Sequence, residues 1–218
     1  MQKEKVIQEI LKEKVIVIVR GLSREELIPF AEAVYAGGIR FLEITYDAAG
    51  AIPDEETASR IRMLTERFAG RMYIGAGTVL SPEQVQLTRA AGGSFIISPD
   101  SCPDVIRETV SAGLVSIPGA FTPTEIAEAH RLGADFVKVF PAGSLGSDYI
   151  KALHAPLSHV RMLAVGGVNT GNMKDYTAAG ACGFGIGSDI VDKKSIAAGD
   201  FEAITARAKK YTDIISGT

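Results

Sequence analysis

A lysine centred in an apolar run is the residue in this sequence that most directly asks for chemistry. Lys138 lies in DFVKVFP, where strand alternation puts Phe136, Lys138 and Phe140 on one face and Val137 and Val139 on the other. Burying an ammonium costs desolvation energy and lowers its pKa, and a partly neutral amine attacks carbonyls to form a Schiff base. The competing reading is a lysine whose stem packs at a rim while its ammonium reaches water. Glu43, in FLEIT, repeats the pattern: Phe41, Glu43 and Thr45 share a face, with Leu42 and Ile44 opposite. A buried carboxylate is costly unless it is paired or exchanges protons. Its two readings are an acid/base group and an ion-pair partner of Lys138 or Arg20. Imine chemistry needs both an amine and a proton shuttle, so the two residues together favour chemistry more than either does alone.

Two glycine clusters follow. Gly166-Gly167-Val168-Asn169 and Gly185-Ile186-Gly187-Ser188 close the last two apolar runs. Bare backbone N–H groups beside a helix N-terminus, expected near Asn169 or Thr170, are suited to phosphate. Gly166, Gly167, Gly187 and Ser188 are therefore the expected phosphate site, although each motif alone reads equally as a turn. The small residues of Gly75-Ala76-Gly77-Thr78 and Pro118-Gly119-Ala120-Phe121-Thr122 either make room for a ligand or allow tight packing. Thr78 offers a hydroxyl, and Thr122 a helix cap. His130, His154 and His159 read as surface residues. Cys102 and Cys182 have no neighbouring base and read as reduced packing residues. No metal-ligand spacing is present, and no metal or cofactor is expected.

These side chains must be held by a repeating scaffold. Short runs rich in Val, Ile and Phe recur at 15–20, 40–45, 72–78, 94–98, 114–118, 135–140, 161–167 and 182–188. Their spacing suits one strand, one helix and two turns, and glycine ends most helical segments. Ser23-x-x-Glu26, Ser81-Pro82-x-Gln84 and Thr122-Pro123-Thr124-Glu125 read as helix-capping signals. Leu27, Phe30, Ala31, Val34 and Tyr35 share one helical face. An amphipathic helix around Val6, Ile7, Ile10 and Leu11 is expected to cover the bottom of the scaffold. The reading is a single (β/α)8 barrel domain spanning 1–218, with a doubly wound open sheet as the alternative.

Composition narrows the function classes. The chain has 218 residues, 46% apolar, with 23 Lys+Arg against 26 Asp+Glu for a net charge of -3. That balance argues against a basic footprint for nucleic acid or an anionic membrane. The N-terminal segment lacks the apolar stretch of a signal peptide, and no apolar run is long enough to span a bilayer. A cytoplasmic protein with no nucleic-acid or membrane partner is expected.

Taken in order from about Val6 to Ile215, LEIT with Glu43, GAGTVL with Thr78, IPGAFTPTE, FVKVFPA with Lys138, AVGGV and GIGS resemble one family. They are similar to the 2-keto-3-deoxy-6-phosphogluconate aldolases, class I enzymes that often also act on 4-hydroxy-2-oxoglutarate. The resemblance implies a (β/α)8 barrel, a homotrimer and no metal requirement. It implies Lys138 as the Schiff-base lysine and Glu43 as the acid/base. Thr78, Pro118, Gly119 and Phe121 would contact the substrate, with the phosphate on the glycine loops; the products are pyruvate and glyceraldehyde 3-phosphate. SLGSDYIKAL, AVGGV and GIGSD are as similar to the 2-keto-3-deoxy-6-phosphogalactonate aldolases. Many members of the family carry arginine four residues after the glutamate, where this chain has Asp47. Arg20, on the face of Ile16 and Ile18, is the expected replacement, since guanidinium holds a carboxylate through two parallel hydrogen bonds. Asp47 then faces solvent or the loop before Asp54, and Asp47→Asn is expected to be nearly silent. The competing functions are a phosphosugar isomerase or epimerase and a non-catalytic binder of phosphorylated sugar acids.

Overall fold

Nine parallel strands curve into a nearly closed barrel with helices between them. The structure, a computed structural model, describes residues 2–217; Met1 and Thr218, the ends of the expected domain, lie outside the described residues. The strands are β1 (Val15–Val19), β2 (Phe41–Thr45), β3 (Tyr73–Gly77), β4 (Phe95–Ile97), β5 (Val115–Ile117), β6 (Gly119–Ala120), β7 (Val137–Val139), β8 (Met162–Val165) and β9 (Gly183–Ile186). Their order around the sheet is β5-β4-β3-β2-β1-β9-β8-β7-β6. The extra strand comes from Pro118, which has no N–H and separates the fifth apolar run from a short strand at Gly119–Ala120. β5 pairs with β4, and β6 with β7. Hydrogen bonds from Phe136 N to Ser116 O (3.2 Å) and from Lys138 N to Pro118 O (2.9 Å) bridge the two halves. The ring is thus carried past the break, and the open-sheet alternative falls.

The helices are α1 (Gln2–Glu13), α2 (Arg24–Ala36), α3 (Asp54–Arg67), α4 (Pro82–Ala90), α5 (Pro103–Ser111), α6 (Pro123–Arg131), α7 (Gly146–His154), α8 (Met173–Ala178), α9 (Lys193–Ala197) and α10 (Phe201–Ser216). Ser23 and Thr122 form full capping boxes with Glu26 and Glu125. Ser81 caps α4, but the Gln84 side chain accepts from Leu80 N, not from the cap residue's own N–H. α8 begins at Met173, later than the expected Asn169 or Thr170, because Asn169 and Asn172 fold the intervening residues into a side-chain-bonded turn. Among the described residues no helix is long and apolar enough to cross a membrane.

Strand alternation divides the core into two layers. Val17, Leu42, Ile44, Val137 and Val139 face outward into the layer shared with the helices. Ile16, Phe41, Phe95, Ile97, Phe136 and Leu163 fill the barrel interior, where Val6, Ile7 and Ile10 of α1 close the bottom. The expected cover is therefore an inserted plug. Lys3 anchors it to Asp135, just before β7, through an ion pair of 2.9 Å.

Candidate active site

The interior face that is apolar at the bottom turns polar at the strand C-termini. Register sets the change: Ile16 lies beside Phe41, itself beside Tyr73, whereas Ile18, one step up, lies beside Glu43, itself beside Gly75. Across the barrel Lys138 sits between Gly119 and Leu163. Glu43 and Lys138 both line a cavity of about 660 Å³ that also takes in Arg20, Thr78, Gly166, Gly167, Gly187 and Ser188. The structure thus gathers eight of the expected site residues at one mouth, where such barrels place their chemistry.

Glu43 is 2% exposed, and its Oε2 has no hydrogen-bond partner among the described residues. Burial raises its pKa, against the opposing pull of Lys138 and Arg20. Lys138, 8% exposed, is shifted down by burial first, Glu43 acting against that shift and Arg20 with it. Its Nζ stands 4.9 Å from the centre of the Phe140 ring. Among the described residues neither group has a direct ion-pair partner: Arg20 donates to Thr78 Oγ1 at 3.0 Å rather than to Glu43 or Asp47. Thr78 is held at φ +55, a left-handed conformation that a β-branched residue seldom adopts. This strained backbone lies on the wall that faces Arg20.

The small residues have specific causes. A Cβ on Gly77 would lie 1.6 Å from Glu43 Oε1, and one on Gly75 would lie 2.4 Å from the Phe95 ring. Their missing side chains accommodate the acid and a core aromatic, not a ligand. Gly166 and Gly167 have φ of +85 and +79. Gly143 N donates to Gly166 O at 2.7 Å, so the loops after β7 and β8 pack backbone to backbone. Gly187 has open space where a side chain would be.

Pro118, Gly119 and Phe121 are not among the residues that line this cavity. Pro118 supplies the strand break, and Gly119 is pressed against the carbonyl of Pro99, leaving no room for a Cβ. Phe121 packs on Tyr149, ring centres 5.5 Å apart, and its carbonyl accepts the Tyr149 hydroxyl. Asp47 turns into its own loop. Oδ1 accepts from Ala49 N at 3.1 Å, and Oδ2 from Ala51 N at 2.8 Å and Ile52 N at 3.1 Å. These backbone bonds hold its pKa low, Arg20 adding a minor pull. Ala48, Leu80, Asn169 and Asp189 also line the mouth. Ala48 and Leu80 carry no chemical signal of their own, whereas Asn169 and Asp189 are polar side chains at the ends of the two glycine clusters. Cys102 and Cys182 are free thiols, and burial pushes Cys182 up to about 11. His154 is half-buried, not a surface residue, with its ring packed over Gly180. Among the described residues no cluster of His, Cys, Asp or Glu is arranged to hold a metal.

Comparison with known proteins gives the same grouping. The chain is 37% identical over 195 residues to the 2-dehydro-3-deoxy-phosphogluconate aldolase of Treponema pallidum (strain Nichols), covering 88% of each chain. It is also 37% identical over 176 residues to the 2-dehydro-3-deoxy-6-phosphogalactonate aldolase of Escherichia coli (strain K12), covering 80% of this chain and 83% of that one. The fold superposes with a TM-score of 0.84 and 29% identity on a KDPG aldolase from Legionella pneumophila, whose structure holds pyruvate as a covalent carbinolamine. That match covers 96% of this chain and 97% of the other. The relatives are aldolases, and the enzyme class is a lyase. Residues 6–207 match the family model described as KDPG and KHG aldolase, and the chain belongs to that aldolase family.

Proposed function

We propose that this enzyme is a class I aldolase that cleaves a phosphorylated 2-keto-3-deoxy sugar acid to pyruvate and glyceraldehyde 3-phosphate. The observation that carries it is the pairing in one cavity of a buried amine with depressed pKa and a buried carboxyl with raised pKa. Lys138 Nζ attacks the C2 carbonyl, and Glu43, directly or through water, protonates the hydroxyl that leaves as the carbinolamine dehydrates. The iminium is then the electron sink. Glu43, now a carboxylate, takes the proton of the C4 hydroxyl; the C3–C4 bond breaks and its electrons flow to nitrogen. The aldehyde leaves, the enamine regains a proton at C3, and water releases pyruvate from Lys138. Arg20 holds the substrate carboxylate beside Thr78. Gly166, Gly167, Gly187 and Ser188 take the phosphate, whose binding energy orients the reacting bond.

A second substrate reading keeps this chemistry with the galactonate epimer. The similarity of SLGSDYIKAL, AVGGV and GIGSD to the galactonate enzymes favours it, and the two substrates differ at one hydroxyl. 4-Hydroxy-2-oxoglutarate, cleaved to pyruvate and glyoxylate, is a further candidate. The reading includes a single barrel domain, a cytoplasmic setting drawn from the composition, and a homotrimer, the last carried by the resemblance alone. An isomerase or epimerase would not need the amine.

Borohydride reduction in the presence of pyruvate tests the proposal. It should add a reduced pyruvyl group to Lys138 and stop turnover, and Lys138→Arg should take up none. Glu43→Gln should lose about 100-fold or more in turnover while still trapping slowly. An unmodified, fully active protein after borohydride would overturn imine chemistry.

A further inference from the structure

Beside the glycine loops of the catalytic cavity lies a second chamber of about 280 Å³, lined by Ile18, Arg20, Gly187, Ser188, Val191 and Lys193. The first four also line the main cavity, so the two spaces share a wall. Lys193 is the one charged residue that the chamber adds. Its Nζ occupies the space left by Gly21: a Cβ on that glycine, whose φ is +71, would lie 3.1 Å from the ammonium. Gly21 directly follows Arg20, so the fold sets a second cation against the backbone next to the first.

The neighbouring acids do not neutralise it. Asp192 pairs with Arg207 at 2.9 Å and accepts from Ser195, and Asp189 accepts the hydroxyl of Tyr211. Lys193 has no ion-pair partner among the described residues. An unpaired ammonium beside a guanidinium, a serine hydroxyl and an open glycine backbone is suited to an anion of charge two.

We propose that Lys193 is a substrate-binding residue that pairs with the terminal phosphate of the sugar acid and makes the enzyme selective for phosphorylated substrates. This rests on the aldolase reading and extends its phosphate site by a cation. A compact ammonium suits a phosphate monoester dianion, and losing one charge-assisted contact costs roughly 10- to 100-fold in affinity.

The test compares Lys193→Met and Lys193→Arg with the unaltered enzyme. Two rates are measured: kcat/KM on the phosphorylated substrate, and borohydride trapping with pyruvate, which carries no phosphate. In Lys193→Met the ratio of the first to the second should fall roughly 10- to 100-fold, through KM rather than kcat. Lys193→Arg should recover much of it. Inorganic phosphate should compete with the phosphorylated substrate in the unaltered enzyme and do so more weakly in Lys193→Met. An unchanged ratio with unchanged phosphate inhibition, or equal loss on both measures, would overturn the proposal. Absence of trapping in the unaltered enzyme would instead overturn the aldolase reading, and the phosphate inhibition would still report on Lys193.

Discussion

Arg20 acts at the residue scale through both its charge and its shape, and the two can be separated. Its charge lowers the pKa of Lys138 and of Glu43 alike. Removing it in Arg20→Met should therefore raise both. The amine would then need a higher pH to lose its proton, so the acid limb of the kcat/KM profile should move toward alkaline pH. Glu43 would keep its proton to higher pH as well, moving the other limb the same way. The fork of the guanidinium, already satisfied on one side by Thr78, holds a carboxylate in a way that an ammonium cannot copy. Arg20→Lys should thus leave the pH profile nearly in place yet raise the pyruvate KM, by up to about 10- to 100-fold. A profile that stays fixed in Arg20→Met, or moves toward acid, would show that Arg20 does not set the charge balance of the site.

The loop between β2 and α3 shows how one side chain shapes an element. Both Asp47 oxygens accept backbone N–H groups, three in all. An asparagine has one acceptor oxygen, and its NH2 would face at least one of those donors. Asp47→Asn should therefore not be silent. Amide exchange at Ala49, Ala51 and Ile52 should quicken, and KM should rise as Ala48 loses its fixed place on the cavity wall. Unchanged exchange at these amides would refute a loop-setting role. The sequence places Asp47 toward solvent or this loop, but the bonds to the backbone of its own turn are visible only in the fold. Gly77 is a similar case: the GAGT motif was legible, but its reason, the Glu43 carboxyl one strand away, required the register between β2 and β3. The alternating faces of Glu43 and Lys138 were legible because period 2 fixes them locally. The break at Pro118 was also present in the sequence, as a proline that ends the fifth apolar run, but the short strand after it at Gly119–Ala120 was not.

At the scale of the whole molecule, the barrel keeps its stability and its chemistry on different levels of one interior. Phe41, Phe95 and Phe136 form an apolar floor, with ring centres 5.9 Å apart for Phe41 and Phe95. The polar site lies above it, and α1 is inserted from beneath. The anchor and the plug of α1 should contribute unequally. The Lys3–Asp135 ion pair is partly solvated, and such pairs give about 0–1 kcal/mol, so Lys3→Ala should barely move Tm. Ile10 is 1% exposed within the interior cluster. Trimming such a side chain to alanine removes apolar contacts and leaves a cavity, for about 2–5 kcal/mol. At about 2–4 °C per kcal/mol for a chain of this size, Tm should fall by roughly 5–15 °C in Ile10→Ala. Below that lowered Tm, kcat/KM should stay within about 3-fold of the unaltered enzyme, because the aromatic floor separates the vacated space from Lys138. Thermal unfolding and kinetics on the same preparation check both parts. A normal Tm would show that α1 adds little to the core, whereas a large loss of kcat/KM in a fully folded protein would mean that the floor transmits the strain and that the two levels are coupled.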